Sequence, residues 1–287
     1  MKPAAFAYHR AHDVPDAIGL LGELAAAGEE PKLIAGGQSL VPMMNFRLAR
    51  PTALVDLGPL RRDPALTGLR RAGAGLEIGA LVTHRAVEVA KLGPDFDVLS
   101  RAMRWVGHLP IRSRGTVAGS IVHGDATAEW CLLALLLDAV IVADGSGGRR
   151  EIPAAEMFHG FYTTAVEPDE VVTAVRFTRP SPRAALTEFA RRHGDFAIVD
   201  VAVSLHEDGG RVVVGGVAPA PVRVPEAEAV LAAGDPGRDL FAACADAAAA
   251  AVDPPGDAAG SSAYRRRLTR TLVVQALHQA WEKGVTR

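Results

Sequence analysis

The chain has 287 residues, enough for one or two domains with a substantial apolar core. Hydrophobic residues make up 49%, charged residues 22%, and the formal net charge is −2, without the basic footprint of a nucleic-acid binder. Two cysteines exclude a disulfide framework, and the most apolar run, 131–143, is too short to span a bilayer. The N-terminus lacks the apolar core of a signal peptide, so we expect a cytoplasmic protein with no membrane span.

The chain opens with a predicted compact unit of the β-α-β-β type. Asp13 is placed to cap a helix that ends at Gly28, and a short strand over 32–35 follows. That strand leads into the sequence Leu-Ile-Ala-Gly-Gly-Gln-Ser-Leu at 33–40, which we call the first glycine loop. The next strand is predicted over 53–57, after a connection whose length favours a functional role.

A second glycine-bearing stretch lies at 115–125, and we call it the second glycine loop. It follows a strand over 76–80, a helix capped by Thr83, a helix over 98–106 and a polar connection at 107–114. The loop is predicted to begin as a strand-like apolar run and to break at small residues. We expect Asp125 to cap the next helix, with Glu129 about one turn further on.

Both loops are interpreted as backbone cradles for an anion. Glycine tolerates left-handed torsions that turn successive N–H groups to one side, and such a concavity binds phosphate. Two facing loops would then clamp a diphosphate. For either loop alone, the alternative is a plain turn between apolar runs. The pair favours the clamp because hydrogen-bonding side chains flank both loops: Gln38, Ser39, Ser120, His123 and Asp125.

Pro180 and Pro182 mark a predicted boundary between domains at 1–179 and 180–287. The first domain is expected to have lobes at about 1–58 and 59–179. Three strand candidates, at 185–190, 197–206 and 211–217, predict a small antiparallel sheet in the second domain, and helices complete it. In the middle candidate apolar and polar residues alternate, which places Asp200, Ser204 and His206 on the face opposite its valines.

Several common catalytic motifs have no counterpart in the chain. Gly73-Ala74-Gly75 begins like a dinucleotide fingerprint, but Ile78 occupies the third glycine position and no helix is predicted to follow. The sequence has no Gly-Lys-Ser/Thr phosphate loop and no Gly-x-Ser-x-Gly elbow. Its nine histidines are scattered, and we expect His84 to be a surface or capping residue.

The two glycine loops resemble the FAD-binding motifs of the flavoprotein (medium) subunit of molybdenum hydroxylases. That family includes aerobic carbon monoxide dehydrogenase, nicotine dehydrogenase and xanthine dehydrogenase. Segments at 162–172, 191–197 and 264–268 extend the resemblance over nearly the whole chain. The residues that the resemblance places against FAD are Ile34, Ala35, Gly36, Gly37, Gln38, Ser39, Leu40, Thr116, Val117, Ala118, Gly119, Ser120, His123, Asp125, Glu129 and Val172.

The fold that the resemblance implies is α+β. It consists of a two-lobed FAD-binding domain of the vanillyl-alcohol-oxidase-like type, followed by a small C-terminal domain with a three-stranded antiparallel sheet and a helix bundle. Three positions depart from the family pattern. Ala118 stands where the family often has glycine, Glu129 where it often has aspartate, and Glu188 where some relatives have lysine.

The resemblance implies an FAD-carrying electron-transfer subunit that passes electrons from iron–sulfur clusters to an external acceptor. Two [2Fe–2S] clusters need about eight cysteines, and the chain has two, so the clusters and the molybdenum cofactor are expected on partner subunits. The implied assembly is a dimer of heterotrimers with an iron–sulfur small subunit and a molybdenum-binding large subunit. We assign no metal site and no catalytic side chain to this chain.

Two other functions stay open at this point. The first is a self-sufficient FAD-dependent oxidase or dehydrogenase, with a substrate cavity lined by Tyr162, Arg191 and His193. The second is a binding or assembly protein that has lost its flavin. The intact small residues of both glycine loops argue against the second.

Overall fold

The computed structural model describes residues 2–285, and residues 283–285 by their backbone alone. The outer ends of the two predicted domains, at Met1 and at 286–287, lie outside the described residues. The first lobe is a three-stranded parallel sheet in the order β1-β3-β2. Its elements are β1 (Ala7–Arg10), α1 (Val14–Ala26), β2 (Pro31–Ile34), α2 (Leu40–Asn45) and β3 (Ala53–Asp56).

Local sequence signals explain how this lobe starts. The Asp13 carboxylate accepts a hydrogen bond from the Asp16 amide at 2.8 Å and caps α1, and Gly28 leaves that helix with φ of +84°. The unit is β-α-β-α-β rather than β-α-β-β, because α2 lies between β2 and β3. Parallel strands need a crossover, so topology accounts for the length of the connection that we had interpreted as a functional signal.

The second lobe is built on a five-stranded antiparallel sheet in the order β4-β5-β10-β6-β7, with a separate hairpin of β8 and β9. The predicted helix over 98–106 ends earlier, at Ala102, and the polar connection at 107–114 contains a short helix. The elements are α3 (Pro64–Thr67), β4 (Leu69–Ala72), β5 (Gly75–Gly79), α4 (His84–Val89), α5 (Asp97–Ala102), α6 (Leu109–Arg112), α7 (Val117–His123), α8 (Glu129–Leu136), β6 (Ala139–Gly145), β7 (Gly148–Pro153), β8 (Phe158–Gly160), β9 (Thr163–Thr164) and β10 (Val171–Phe177).

The second glycine loop does not contain the predicted strand-like run. Its apolar residues form helix α7, which Thr116 caps by accepting a hydrogen bond from the Gly119 amide at 3.1 Å. Val117, Ala118 and Ile121 are buried on one side of this helix. A short apolar run is compatible with either a strand or a buried helix, and here the threonine cap favours the helix.

The C-terminal unit, residues 184–285, has a four-stranded antiparallel sheet in the order β11-β12-β13-β14, rather than the expected three strands. The additional strand is two residues long and lies between prolines 221 and 225. Because proline disfavours strand interiors, the sequence pattern did not predict this strand. The elements are β11 (Ala184–Phe189), β12 (Val199–His206), β13 (Gly209–Gly215), β14 (Val222–Arg223), α9 (Pro225–Ala232), α10 (Arg238–Ala251) and α11 (Ser262–Val285).

Both faces of the C-terminal sheet are covered. Valines 199, 201 and 203 of β12 belong to the apolar cluster that packs against α9, α10 and α11. The opposite face packs against helix α8 of the second lobe, and there Asp200 and Ser204 are completely buried. Residues 130–136 of α8 are buried on every side, so this helix joins the cores of the two parts.

Polar contacts fix one edge of this interface. The Arg211 guanidinium donates to the Asp138 carboxylate at 2.5 Å, and Arg101 donates to the carbonyl of Ala184 at 2.7 Å. These bonds join the C-terminal sheet to the second lobe. Across residues 2–285, no helix combines the length and apolar character needed to cross a membrane.

Arg265 provides a test of how the C-terminal unit is held together. Its buried guanidinium donates to the carbonyls of Ile198 and Gly216 and pairs with Asp257 at 2.7 Å. We expect Arg265→Ala to lower the free energy of unfolding by about 2–4 kcal/mol in urea titrations, because two carbonyls lose their donor. The matched control is Arg267→Ala, which removes an exposed guanidinium 5.8 Å from the centre of the Tyr264 ring on the same helix and should cost under about 1 kcal/mol. Equal losses would contradict this role.

Candidate functional site

The two glycine loops touch each other at Gly36. A methyl group built on Gly36 would lie 2.3 Å from the carbonyl oxygen of Arg114 and 2.8 Å from the Cα of Gly115. These are backbone atoms and cannot rotate away, so any side chain at position 36 would separate the loops. The sequence predicted that the loops face each other, and the structure brings them together here.

The first glycine loop has the left-handed torsion expected of it at Gly37, where φ is +69°. The Gly37 carbonyl accepts from the Val41 amide at 3.0 Å, and the Gln38 side-chain amide donates to the Gly36 carbonyl at 3.0 Å. Ser39 is the N-cap residue of α2. All seven predicted residues of this loop are half-buried, as expected for the wall of a cleft: Ile34, Ala35, Gly36, Gly37, Gln38, Ser39 and Leu40.

The second glycine loop is fixed to the connection between β5 and α4 before it turns into α7. The Val117 amide donates to the Val82 carbonyl at 3.0 Å, and the His84 amide donates to the Gly115 carbonyl at 3.0 Å. Gly119 lies within helix α7, so our prediction of a left-handed torsion at this position is wrong. Glycine is needed for another reason, because a methyl group there would lie 2.7 Å from the capping Thr116 hydroxyl.

His84 is buried against this loop, so our expectation of a surface or capping residue is wrong. It is 4% exposed, and its Nδ1 accepts a hydrogen bond from the Trp130 indole at 2.9 Å. Burial, with a contribution from Arg112, lowers the pKa of His84 to about 4, so it is neutral and can accept. A methyl group on Gly115 would lie 2.7 Å from the His84 Nε2. The sequence signal that could have placed His84 was its position directly after Thr83, the residue that caps α4.

A polar corner follows α7. Gly124 ends the helix with φ of +66°, and the His123 ring lies 4.9 Å from the Tyr162 ring. The Tyr162 hydroxyl donates to the Asp125 Oδ2 at 3.3 Å. Burial lowers the pKa of His123 and raises that of Tyr162. The corner therefore brings two predicted cofactor residues together with the aromatic segment after β8.

Asp125 does not cap α8, contrary to our prediction. Its Oδ1 accepts from the amide and the hydroxyl of Thr127, at 2.8 and 2.9 Å, in a tight turn before the helix. The N-cap position belongs to Ala128, and Glu129 is the first residue of α8 rather than one turn in. Burial, reinforced by the Asp125 charge, raises the pKa of Glu129 to about 7.

The remaining predicted residues lie close to α7 in the fold. Ala118 is buried and Ser120 is half-buried on that helix. Val172 is 7% exposed on β10 and belongs to the same apolar cluster as Val117 and Ala118. It lies in the packing beneath the second glycine loop, and its contact with a cofactor stays a prediction.

The polar turn at 191–195 approaches the same region from the C-terminal unit. The His193 ring lies 5.9 Å from the His108 ring, and a methyl group on Gly194 would lie 2.6 Å from His108. His108 directly precedes α6, which leads into the second glycine loop. Arg191 donates to the Ala259 carbonyl at 3.0 Å and lines a depression of 260 Å³. Tyr162, which the oxidase alternative places in the same cavity as Arg191, does not line this depression.

The arrangement fits FAD. The Gly36 contact and the Gly37 turn give a surface of backbone and small residues, which suits a diphosphate. The carboxylates of Asp125 and Glu129 lie beyond the small residues of α7 and would repel that diphosphate, but they can accept from hydroxyl groups. The glycine loops would hold the phosphates and the carboxylates would accept from hydroxyl groups of the cofactor, and this division of the site stays a prediction.

Family models match both parts of the chain. One, described as the FAD binding domain in molybdopterin dehydrogenase, matches residues 4–180. The other, described as the CO dehydrogenase flavoprotein C-terminal domain, matches residues 184–280. The chain belongs to the FAD-binding medium subunits of the molybdenum hydroxylases. The resemblance that the glycine loops indicated is thus confirmed, and FAD is the cofactor of this family of oxidoreductase subunits.

Solved and curated proteins are similar to the chain over nearly its full length. The chain is 38% identical to the 6-hydroxypseudooxynicotine dehydrogenase complex subunit alpha of Paenarthrobacter nicotinovorans, covering 99% of this chain and 97% of that protein. It is 36% identical to the nicotine 6-hydroxylase medium subunit of the same organism, over 98% and 99% of the chains. A structure of carbon monoxide dehydrogenase from Hydrogenophaga pseudoflava superposes with a TM-score of 0.91 at 33% identity, covering 99% of both chains. The expected fold class is confirmed by this match.

The Gly36 contact generates a prediction for the medium subunit. Gly36→Ala should separate the two loops and abolish FAD retention, measured as the flavin-to-protein ratio after gel filtration. Gly37→Val should also lose FAD, because β-branched residues disfavour positive φ. The matched control is Gly147→Ala, since a methyl group at this exposed glycine would meet nothing within 4 Å. Stoichiometric flavin in both loop variants would contradict the clamp.

Glu129 generates a second prediction. Glu129→Ala should weaken FAD binding by about 1–3 kcal/mol, the usual cost of losing a hydrogen bond to a charged group. Glu129→Asp should be milder, because it keeps the carboxyl group. Dissociation constants from quenching of flavin fluorescence would separate the variants. Equal losses in the two would point to a packing role.

Proposed function

We propose that this chain is the FAD-carrying electron-transfer subunit of a molybdenum hydroxylase complex. It receives electrons from iron–sulfur clusters of a partner and passes them to an external acceptor. The observation that carries the proposal is the backbone contact of the two glycine loops at Gly36, which builds a cradle without side chains. The proposal includes a division into an FAD-binding domain at 1–179, with lobes at 1–58 and 59–179, and a C-terminal domain at 180–287.

Cysteine usage supports the need for partners. Cys131 and Cys244 are both buried, one in α8 and one in α10, whereas two [2Fe–2S] clusters need about eight thiolates. Among residues 2–282, whose side chains the structure describes, no group of three or more histidine, cysteine, aspartate or glutamate side chains is arranged to hold a metal ion. The proposal therefore places the clusters on an iron–sulfur small subunit and the molybdenum on a large subunit. The dimer of heterotrimers is retained from the family resemblance.

The roles of this chain's own residues follow from the site. The glycine loops bind the diphosphate through their backbone, and Glu129 with Asp125 accepts hydrogen bonds from hydroxyl groups of the cofactor. When bound, FAD supplies electron-carrier chemistry that no side chain provides. Tyr162 contacts His123 and donates to Asp125, so these side chains hold the corner at Gly124. None of these residues needs to act on an organic substrate.

The isolated chain tests this proposal. We expect the purified protein to contain FAD, and metal analysis to find neither iron nor molybdenum. Dithionite should reduce the bound flavin, whereas a purine, a nicotine-like compound or an aldehyde should leave its absorbance unchanged. Adding the iron–sulfur and molybdenum partners should restore substrate-dependent bleaching, through an interface of at least about 1,200 Å².

Two outcomes would contradict the proposal. Rapid flavin reduction by an organic substrate, in a metal-free preparation of this chain alone, would favour a self-sufficient oxidase or dehydrogenase. A chain that binds no flavin would instead favour a binding or assembly protein.

A further inference from the structure

A carboxyl group without a partner lies between the C-terminal sheet and the FAD-binding region. Asp200, on strand β12, is 0% exposed, and neither of its Oδ atoms has a hydrogen-bond partner among the described residues. Leaving a buried polar group unpaired costs about 1–3 kcal/mol, and a buried charge costs more. Such a group calls for an explanation beyond packing.

The surroundings of Asp200 show what it can reach. It pairs across the sheet with Glu188 of β11 on one side and with Gly215 of β13 on the other. A methyl group built on Gly215 would lie 2.2 Å from the Asp200 Oδ1 and 2.5 Å from the carbonyl oxygen of Ala126. The carboxyl and this carbonyl therefore face each other across the space that glycine leaves open. Ala126 belongs to the turn between Asp125 and Glu129.

Two oxygens that face each other attract only if a proton lies between them. The ionisable groups around Asp200 are Glu188 on its own sheet, Asp125 in the turn, and Glu129 and Cys131 on α8, and none of them carries a positive charge. Burial first, and then the charges of Glu188, Glu129 and Asp125, raise the pKa of Asp200 well above its usual range. Burial raises the pKa of Glu188 to about 8.

We propose that Asp200 is a positioning residue of the cofactor site, which as a neutral acid donates to the Ala126 carbonyl and holds the turn at 125–128 against the C-terminal sheet. The turn carries Asp125 and leads into Glu129, so holding it fixes both acceptors of the site. The inference rests on the proposed function for its flavin readout. We call this contact the Asp200 latch.

The latch has a definite pH dependence. An acid whose pKa is higher in the folded protein than in the unfolded chain stabilises the latched form. This stabilisation is complete below the pKa of the unfolded chain, and it is lost as the pH rises through the pKa of the folded protein. FAD binding should therefore weaken at alkaline pH. Glu188, with a pKa of about 8, also ionises as the pH rises through this range. An asparagine at position 200 keeps a donor and cannot ionise.

The experiment compares Asp200→Asn and Asp200→Ala with the wild type in the full chain. Asp200→Ala should weaken FAD binding about fivefold to tenfold at neutral pH, by loss of one hydrogen bond, and Asp200→Asn should stay within about twofold. As the pH rises, the wild type should lose more affinity than Asp200→Asn, because the asparagine cannot ionise. The matched control is Ser204→Ala, which alters a buried polar residue of the same strand and should leave FAD binding unchanged.

Hydrogen exchange gives a second measurement that needs no flavin. In the ligand-free chain at one pH, Asp200→Ala should accelerate exchange in the peptide that covers 125–128, and Asp200→Asn should not. The latch is wrong if Asp200→Asn behaves like Asp200→Ala, or if Asp200→Ala matches the wild type in both measurements. If the wild-type chain binds no FAD, the proposed function fails, and hydrogen exchange still decides whether the latch exists.

Discussion

The close approach of two backbone segments at Gly36 is the constraint on which the rest of the site depends. The carbonyl of Arg114 occupies the space where any other residue would place its Cβ. This contact joins a loop of the parallel sheet to a loop of the antiparallel sheet, so it also fixes how the two lobes meet. The cradle is therefore set by main-chain packing, and side chains adjust it only at its edges.

Helix α8 transmits that arrangement to the C-terminal unit. Residues 130–136 are apolar on all sides, and they pack against the second lobe and against the C-terminal sheet at once. Such a surface has little orientational preference of its own, because the hydrophobic effect is not directional. Polar groups at its two ends supply the direction: Arg211 with Asp138 at one end, and Asp200 with the turn at Ala126 at the other.

Local signals in the sequence predicted much of this fold. The Asp13 cap, the end of α1 at Gly28 and the torsion of Gly37 depend on short-range geometry, and each was predicted correctly. The strand-like run predicted where α7 lies was wrong, because a short apolar run with two small residues fits the period of a strand and that of a helix. His84 and Asp200 could not be placed, because their burial comes from elements far away in the chain. The alternation in β12 was correct, but a polar residue opposite the core indicates solvent only when nothing covers that face.

The crossover between β2 and β3 has a consequence for the evolution of the chain. β3 is held in register by parallel partners on both sides, and the segment before it, 46–50, carries the exposed side chains of Phe46 and Leu48. Insertions in that segment would lengthen a surface excursion at a small entropic cost, without shifting the strand. A single added residue between Ile34 and Gly37 would displace the glycine that touches Arg114. Length variation among descendants of this chain should therefore accumulate in the crossover and be excluded from the three residues after β2.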